Sequence, residues 1–238
     1  MESTTLYFCI LCIIVFICIC IYLYYKNTKL LDNRFYNYED IYPELNMLKL
    51  NRPSILKDIN TLNKIEWTDW PEKELYGNDM EWKIFPFYGF GIWINDNCTK
   101  CPNITNLLKK IPNLMTATLS KFKPGTKLAY HQGWGKLSNQ VLRCHYGIQV
   151  PERCLIYVED EERPIKNDDI IVFDDSKEHS ASNFGDSDRI ILILDIKRPN
   201  TIKEGESKVN DTSELNAIIN SFKLMNLKKN NGDGGTNT

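Results

Sequence analysis

The sequence predicts a mainly β domain, a β-sandwich or barrel with flanking helices, preceded by one N-terminal transmembrane helix. From Leu114 onward, short apolar runs are separated by Pro, Gly and Asp, which is typical of strands and turns in all-β folds. Residues 6–25 contain no charged side chain. At the helical rise, a run of that length spans the roughly 30 Å hydrocarbon layer of a bilayer.

The remaining segments follow from composition and periodicity. We predict an N-terminal flank at 1–5, the membrane anchor at 6–25, a polar connector at 26–50, one folded domain at 51–205 with its β core at 114–200, a C-terminal helix at 206–228 and a disordered tail at 229–238. The tail is polar and rich in Gly and Asn, so it cannot bury an apolar core. Strands are expected at 115–122, 142–150, 155–158, 170–174 and 189–196.

Charge and cysteine content exclude some classes of function. The net charge is −2, and no Lys/Arg-rich stripe marks the domain, so we expect no nucleic-acid binding. Cys98 and Cys101 have the spacing of a zinc knuckle, but no second Cys-x-x-Cys accompanies them. A structural zinc site is therefore disfavoured, and a disulfide or a pair of reduced thiols both remain open.

All three histidines, His131, His145 and His179, lie in one part of the β core. Neutral imidazole is the commonest protein ligand of a transition metal. Two histidines with open positions around them suit a redox-active iron better than a closed zinc site. The clustering therefore predicts a metal site.

Arg189 begins a run, Arg-Ile-Ile-Leu-Ile-Leu-Asp195, that is apolar on both faces and is therefore expected to be a buried strand. A buried arginine needs an anionic partner, because an unpaired buried charge is very costly. That partner is either a structural carboxylate, such as Asp188 or Glu178, or the carboxylate of a ligand.

The same region carries an ordered set of motifs. They are Ser120-x3-Pro-Gly-Thr-x4-His131, Leu-Arg143-x-His145-x-Gly, Val-Pro151-x2-Cys154, Phe-Asp-Asp-Ser-x-Glu-His179 and Arg189-Ile-Ile-Leu-Ile-Leu-Asp195-x3-Pro199. Together they resemble the aspartyl/asparaginyl β-hydroxylase family of iron(II)- and 2-oxoglutarate-dependent dioxygenases. The resemblance implies a double-stranded β-helix, which is a jelly-roll or cupin-like barrel with iron at its mouth.

The resemblance also implies the roles of the metal ligands. His131 and His179 would bind Fe(II). The residue two positions after His131 is Gly133, which has no side chain to offer, and the family characteristically lacks the third, carboxylate ligand. Gly133→Asp is therefore expected to add a ligand, to tighten metal binding and to impair hydroxylation.

The cosubstrate site is likewise implied by the resemblance. Arg189 would pair with the distal carboxylate of 2-oxoglutarate, with Ser120 assisting. Arg143 and His145 would contact the end of the cosubstrate that chelates iron. The reaction would use O2 and convert 2-oxoglutarate to succinate and CO2 while the substrate gains a hydroxyl group.

Three functions stay open at this point. The first is a membrane-anchored hydroxylase that acts on aspartyl or asparaginyl side chains of a protein substrate. The alternative is an acyl-chain hydroxylase that acts on a membrane lipid, as related bacterial enzymes do. The third, an inactive barrel that serves as a binding module, is disfavoured because both histidines and Arg189 are present.

The side of the membrane on which the domain lies is predicted from conflicting signals. Basic residues after the apolar run favour the cytosol by the positive-inside rule. The resemblance to the animal enzymes favours the lumen of the endoplasmic reticulum, where three glycosylation sequons would be usable, at Asn97, Asn103 and Asn210. We expect the lumenal side. The oligomeric state and the hydroxylated atom are not predicted.

Overall fold

A computed structural model describes residues 2–27, 30–62 and 67–232 and divides the chain into two compact units. The smaller unit contains the N-terminal helix, the residues up to Asp32, and Asn200–Lys203. Within it, Leu31 and Ile202 form an isolated parallel bridge. The larger unit runs from Asn33 to Pro199 and continues from Glu204, and it contains every strand that the structure describes.

The elements have the following bounds. The helices are α1 (Glu2–Asn27), α2 (Tyr38–Ile41), α3 (Asn46–Leu50), α4 (Arg52–Thr61), α5 (Asn95–Lys100), α6 (Pro102–Leu108), α7 (Gly135–Ser138) and α8 (Ser213–Gly232), with short 3-10 turns at Pro43–Leu45 and Lys73–Leu75. The strands are β1 (Phe35–Tyr36), β2 (Thr68–Asp69), β3 (Trp82–Gly89), β4 (Ile92–Trp93), β5 (Leu114–Phe122), β6 (Val141–Gln149), β7 (Cys154–Val158), β8 (Glu161–Pro164), β9 (Ile170–Phe173), β10 (His179–Asn183) and β11 (Arg189–Lys197).

The strands form two sheets whose order is that of a jelly roll. The large sheet runs β1-β9-β6-β11-β5-β3-β2, with β4 paired to β3, and the small sheet runs β10-β7-β8. Isolated antiparallel bridges at Lys127–Ser182 and His131–His179 add the segment after β5 to the edge of the small sheet. From β5 to β11 the chain crosses repeatedly between the two sheets, with β7 and β8 as a hairpin within the small sheet, as in a jelly roll. The predicted mainly β barrel is confirmed.

Strand β11 lies at the centre of the large sheet and sets the register of the site. It pairs with β5 on one side and with β6 on the other, all antiparallel. Paired residues project to the same face of a sheet. Arg189, Ile193 and Asp195 therefore share the inner face, and their cross-strand partners on β6 include His145 and Arg143.

The predicted connector at 26–50 is wrong for most of its length. Strand β1 pairs with β9, and helices α2 and α3 follow it. Leu45 and Leu48 are fully buried, and the hydroxyl of Tyr42 donates to the backbone carbonyls of Ile196 (3.1 Å) and Lys197 (2.9 Å). These few apolar residues are enough to fix a segment whose overall composition is polar, because their burial is favourable.

The two predicted terminal features differ from the structure. Residues 6–25 are helical within α1, as predicted. Across the described ranges, however, no helix combines the length and apolarity needed to cross a membrane, so the predicted anchor is not supported. At the other end, α8 spans Ser213–Gly232 rather than 206–228. It includes the first four residues of the predicted disordered tail, and residues 233–238 lie outside the described ranges.

Candidate active site

The two predicted metal ligands lie side by side. His131 follows β5 in the chain, and His179 is the first residue of β10. Each donates its backbone N–H to the carbonyl of the other, at 3.0 Å from His131 and 2.8 Å from His179. The centroids of the two imidazole rings are 4.3 Å apart. The fold thus brings together the two side chains that the sequence singled out.

Both imidazoles are held in the tautomer that suits a metal ligand. Nδ1 of His131 lies 2.9 Å from the carbonyl oxygen of Ala129, and Nδ1 of His179 lies 2.9 Å from that of Lys177. Because a carbonyl oxygen can only accept, each Nδ1 carries the hydrogen and each Nε2 keeps its lone pair. Burial lowers the pKa of His131 to about 3 and the pKa of His179 to about 4. Both rings are therefore neutral at physiological pH.

A carboxylate that the sequence analysis did not select lies beside the histidines. Asp175 is almost fully buried, and its Oδ1 is 3.2 Å from Nε2 of His179 and 2.5 Å from Nη1 of Arg143. Burial raises the pKa of this carboxyl above its ordinary value. In the described part of the chain, no group of three or more His, Cys, Asp or Glu side chains is placed to hold a metal ion. The two imidazoles are therefore the donors on which a metal would depend.

Gly133 does not face an empty ligand position. A Cβ placed there would lie 1.9 Å from Oδ2 of Asp175 and 2.8 Å from Cβ of Ser138. Asp175, which lies in the turn between β9 and β10, thus occupies the space that a side chain at 133 would need. This steric conflict opposes the addition of a third ligand through Gly133→Asp, and the effect of that change on metal binding stays a prediction.

Arg143 is engaged by protein carboxylates. Its Nε and Nη2 form a fork onto Asp195, at 2.8 and 3.1 Å, and its Nη1 reaches Asp175. Thr116 donates to the same Asp195 carboxylate at 2.6 Å. Such bidentate, charge-assisted pairs are among the strongest polar contacts in proteins. Arg143 therefore fixes the wall beside the histidines, and its contact with a cosubstrate stays a prediction.

Arg189, unlike Arg143, is buried with two of its nitrogen atoms lacking a hydrogen-bond acceptor. Its side chain is only 1% exposed, and its Nε and Nη1 have no hydrogen-bond acceptor. The guanidinium lies over the ring of Phe122, 3.8 Å from its centroid. Among the described residues, neither Asp188 nor Glu178 nor any other carboxylate forms an ion pair with it. Burial lowers the pKa of Arg189 to about 10, so it is charged at neutral pH and its N–H groups fit an anionic ligand.

The other predicted cosubstrate residues line the same interior. Ser120 is fully buried, is paired with Ile191 in the next strand, and accepts a hydrogen bond from Nε1 of Trp82 at 3.1 Å. His145 is buried, its Nδ1 has no partner, and its ring lies edge-on to Phe173 at 5.0 Å. Burial lowers the pKa of His145 well below its usual value, so this ring is also neutral.

A cavity of about 350 Å³ opens next to His131 and Arg143. This volume lies within the range of small-molecule sites, roughly 300–1,000 Å³. Most of the lining is apolar or aromatic: Trp70, Leu75, Trp82, Ile84, Pro86, Tyr88, Phe90, Ala117, Trp134, Leu137, Ile193, Val209 and Ile218. Arg189, Ser120 and His145 do not line it. The structure thus separates an outer apolar chamber from the polar interior.

The C-terminal segment forms one wall of this cavity. Val209, Thr212 and Ile218 are among its lining residues. Ser207 donates from its hydroxyl to the carbonyl of Gly133 at 2.6 Å, and the N–H of Gly135 donates to the carbonyl of Val209 at 2.8 Å. The segment therefore holds in place the loop that follows His131.

Comparison with known proteins assigns this region. The model of the family described as aspartyl/asparaginyl beta-hydroxylase matches residues 49–199. The chain is 38% identical over 124 residues to ornithine lipid ester-linked acyl 2-hydroxylase of Rhizobium tropici, which is 51% of this chain and 43% of the relative. It is 30% identical over 135 residues to aspartyl/asparaginyl beta-hydroxylase of Homo sapiens, which is 54% of this chain and 17% of the relative. The chain thus spans less than half the length of each.

Likeness to solved structures is weaker. A prolyl-4-hydroxylase of Pseudomonas putida aligns with a TM-score of 0.42 and 12% identity, over 63% of this chain and 87% of that chain. A likeness this low carries no argument about function.

Proposed function

The chain belongs to the aspartyl/asparaginyl beta-hydroxylase family, and from that premise we propose that it is an iron(II)- and 2-oxoglutarate-dependent hydroxylase of an aliphatic C–H bond. One observation carries the proposal: the barrel holds both two adjacent neutral imidazoles with unprotonated Nε2 atoms and a buried arginine whose Nε and Nη1 lack acceptors. The first pair fits Fe(II), and the arginine fits the distal carboxylate of 2-oxoglutarate.

When bound, Fe(II) and 2-oxoglutarate supply the oxidation of a C–H bond by O2, with 2-oxoglutarate converted to succinate and CO2. The protein contributes binding and orientation. The carbonyls of Ala129 and Lys177 keep the Nε2 atoms of His131 and His179 deprotonated. Phe122 and Trp82 cover the cosubstrate interior with apolar surface, which excludes water and strengthens the contact between Arg189 and a carboxylate.

The cavity favours the acyl chain as the substrate. An aspartyl side chain is anionic and would need a cation, but Arg143 is the cation that lines the chamber, and Asp195 and Asp175 already engage it. The apolar lining instead suits a hydrocarbon chain. The Rhizobium tropici relative is named as an acyl 2-hydroxylase, which supports this choice. The aspartyl or asparaginyl protein substrate stays the competing prediction.

Calorimetry with Mn(II) in place of iron tests the cosubstrate site without turnover. In Arg189→Met we expect 2-oxoglutarate binding to weaken about 30-fold or more, since a charge-assisted contact to a desolvated carboxylate is lost. Arg163→Met is the matched control, because Arg163 is exposed and pairs with Glu161. Unchanged 2-oxoglutarate affinity in Arg189→Met contradicts the proposal.

Turnover then separates the two substrates. The Fe(II)-loaded protein is incubated with 2-oxoglutarate and either phospholipid vesicles or a peptide containing Asp and Asn. Mass spectrometry detects the gain of one oxygen. Oxygen added to the acyl chains supports the proposal. Oxygen added only to the peptide contradicts it and supports the competing prediction of a protein substrate.

A further inference from the structure

Glu72 is a buried carboxylate on the wall of the cavity. Its side chain accepts hydrogen bonds from Nε1 of Trp70 (3.2 Å), Nε1 of Trp134 (3.1 Å) and the hydroxyl of Thr212 (3.1 Å). The residue is only 7% exposed. All three donors are neutral. Among the residues that the structure describes, no Lys, Arg or His forms an ion pair with Glu72.

The chamber as a whole carries unbalanced negative charge. Its charged lining residues are Glu72, Glu74, Asp195 and Arg143. Arg143 is neutralised by the fork from Asp195. Glu74 forms no ion pair within the described ranges and lies two residues after Glu72. Two carboxylates therefore face the chamber without a cation, whereas the neighbouring Asp69 is paired with Lys83 and Lys73.

Aromatic rings surround Glu72. Trp70 stacks on Trp82 with centroids 4.6 Å apart, and on Trp134 with centroids 5.7 Å apart. All three rings line the cavity. The face of a tryptophan ring attracts a cation through its quadrupole, and the attraction grows when the cation is desolvated. An indole wall beside a carboxylate is a suitable environment for an ammonium group.

We infer that the substrate of this cavity is an amphiphile with an alkylammonium group, and that Glu72 is the residue that selects this group. The inference rests on the proposed function, because it names the substrate class of the same site. The ammonium group lies against Glu72 and the tryptophans, and the hydrocarbon chain extends along the apolar lining towards His131.

Free-energy considerations favour this occupant over a neutral or anionic one. The desolvation of Glu72 is already a cost in the ligand-free protein, and burial raises the pKa of its carboxyl. An incoming ammonium therefore gains the attraction without stripping a fully hydrated carboxylate. A fatty acid or an aspartyl side chain would instead bring a second negative charge next to Glu72 and Glu74.

Three single-chain probes of equal length test the inference: decylamine, decanol and decanoate. Their binding to the full-length protein is followed by tryptophan fluorescence, because three tryptophans line the cavity. We expect the wild type to bind decylamine about ten-fold more tightly than decanol, and decanoate more weakly than both. In Glu72→Gln, which keeps the side-chain shape, decylamine and decanol should bind about equally.

Glu162→Gln is the matched control, since it makes the same change at an exposed carboxylate outside the cavity, and it should keep the amine preference. Decanoate binding as tightly as decylamine, or an amine preference that persists in Glu72→Gln, overturns the inference. Tighter binding of acetyl-Gly-Lys-Gly-amide than of decylamine also overturns it in favour of a lysyl side chain. Calorimetry of 2-oxoglutarate on the same Mn(II)-loaded samples shows separately whether the proposed function itself fails.

Discussion

His131 and His179 form a hydrogen-bonded antiparallel pair, each donating its N–H to the carbonyl of the other at 3.0 and 2.8 Å. Residues directly opposite in such a pair project to the same face. The separation of the two imidazoles is therefore set by backbone pairing. Each ring is then oriented by a carbonyl two residues away, from Ala129 and Lys177.

This pairing leads to the first prediction. His131→Ala and His179→Ala should each weaken Mn(II) binding by more than about 100-fold, because changes outside the ligand set already weaken metal sites 10- to 100-fold. The backbone bridge survives either change, so the domain should stay folded. Calorimetry with Mn(II) and circular dichroism check the two parts. Wild-type metal affinity in either variant would refute the ligand assignment.

A substitution at Gly133 tests whether this residue faces the side chain of Asp175. Gly133→Ala places a Cβ where Oδ2 of Asp175 now lies, so we expect a loss of about 2 kcal/mol in the free energy of unfolding. Urea denaturation measures it. The double variant Gly133→Ala/Asp175→Ala should recover part of the loss, since the two sites are coupled. Strict additivity of the two changes would show that Gly133 does not face Asp175.

The Arg143–Asp195 fork should contribute to stability. Asp195→Asn removes the charge that compensates a largely buried guanidinium, and breaking such a pair costs about 3–5 kcal/mol. We expect a value near the lower end, because Asp175 still pairs with Arg143. Asp186→Asn, at an exposed position, is the control for urea denaturation. A change as small as that of the control would mean that the fork contributes little.

Acidification should abolish the amine preference. Burial raises the pKa of Glu72, so its carboxylate becomes protonated at a pH above the ordinary value of about 4.3. The alkylammonium stays charged throughout this range. The other charged groups facing the chamber are Glu74, Asp195 and Arg143. In the wild type, the ratio of decylamine affinity to decanol affinity should decrease as the pH is lowered. In Glu72→Gln this ratio should not change with pH. Parallel pH curves for the two proteins would exclude Glu72 as the titrating group.

A substitution at Ser207 tests whether the C-terminal segment shapes the cavity. Ser207→Ala removes the hydrogen bond to the carbonyl of Gly133, which should lower the free energy of unfolding by about 1 kcal/mol. Decylamine affinity should fall, while 2-oxoglutarate affinity should stay unchanged, because the segment lines the outer chamber and not the interior around Arg189. Ser213→Ala is the matched control, since Ser213 is exposed and its hydroxyl donates to the neighbouring Glu214. Equal effects of the two variants would show that the segment does not shape the cavity.

The barrel strands and several polar residues of the interior could be predicted from local patterns in the sequence. Alternation and β-branched runs are local signals, and β11 reads as a buried strand because it is apolar on both faces. The same pattern predicted that Arg189 is buried in the domain. Its anionic partner could then be either a structural carboxylate or the carboxylate of a ligand. The tertiary structure favoured the ligand, because no carboxylate in the described part of the chain reaches the guanidinium.

The carboxylates that belong to the site could be identified only from the folded structure. Asp175 stands in the Phe-Asp-Asp-Ser-x-Glu-His179 motif without a role assigned to it, and no local pattern distinguishes Glu72 from a surface acid. Glu72 joins Trp134 across 62 positions and Thr212 across 140. Contacts at such separations arise from the way two sheets and a C-terminal segment close around a cavity. Their residues acquire a role only when burial removes the water that would otherwise solvate them.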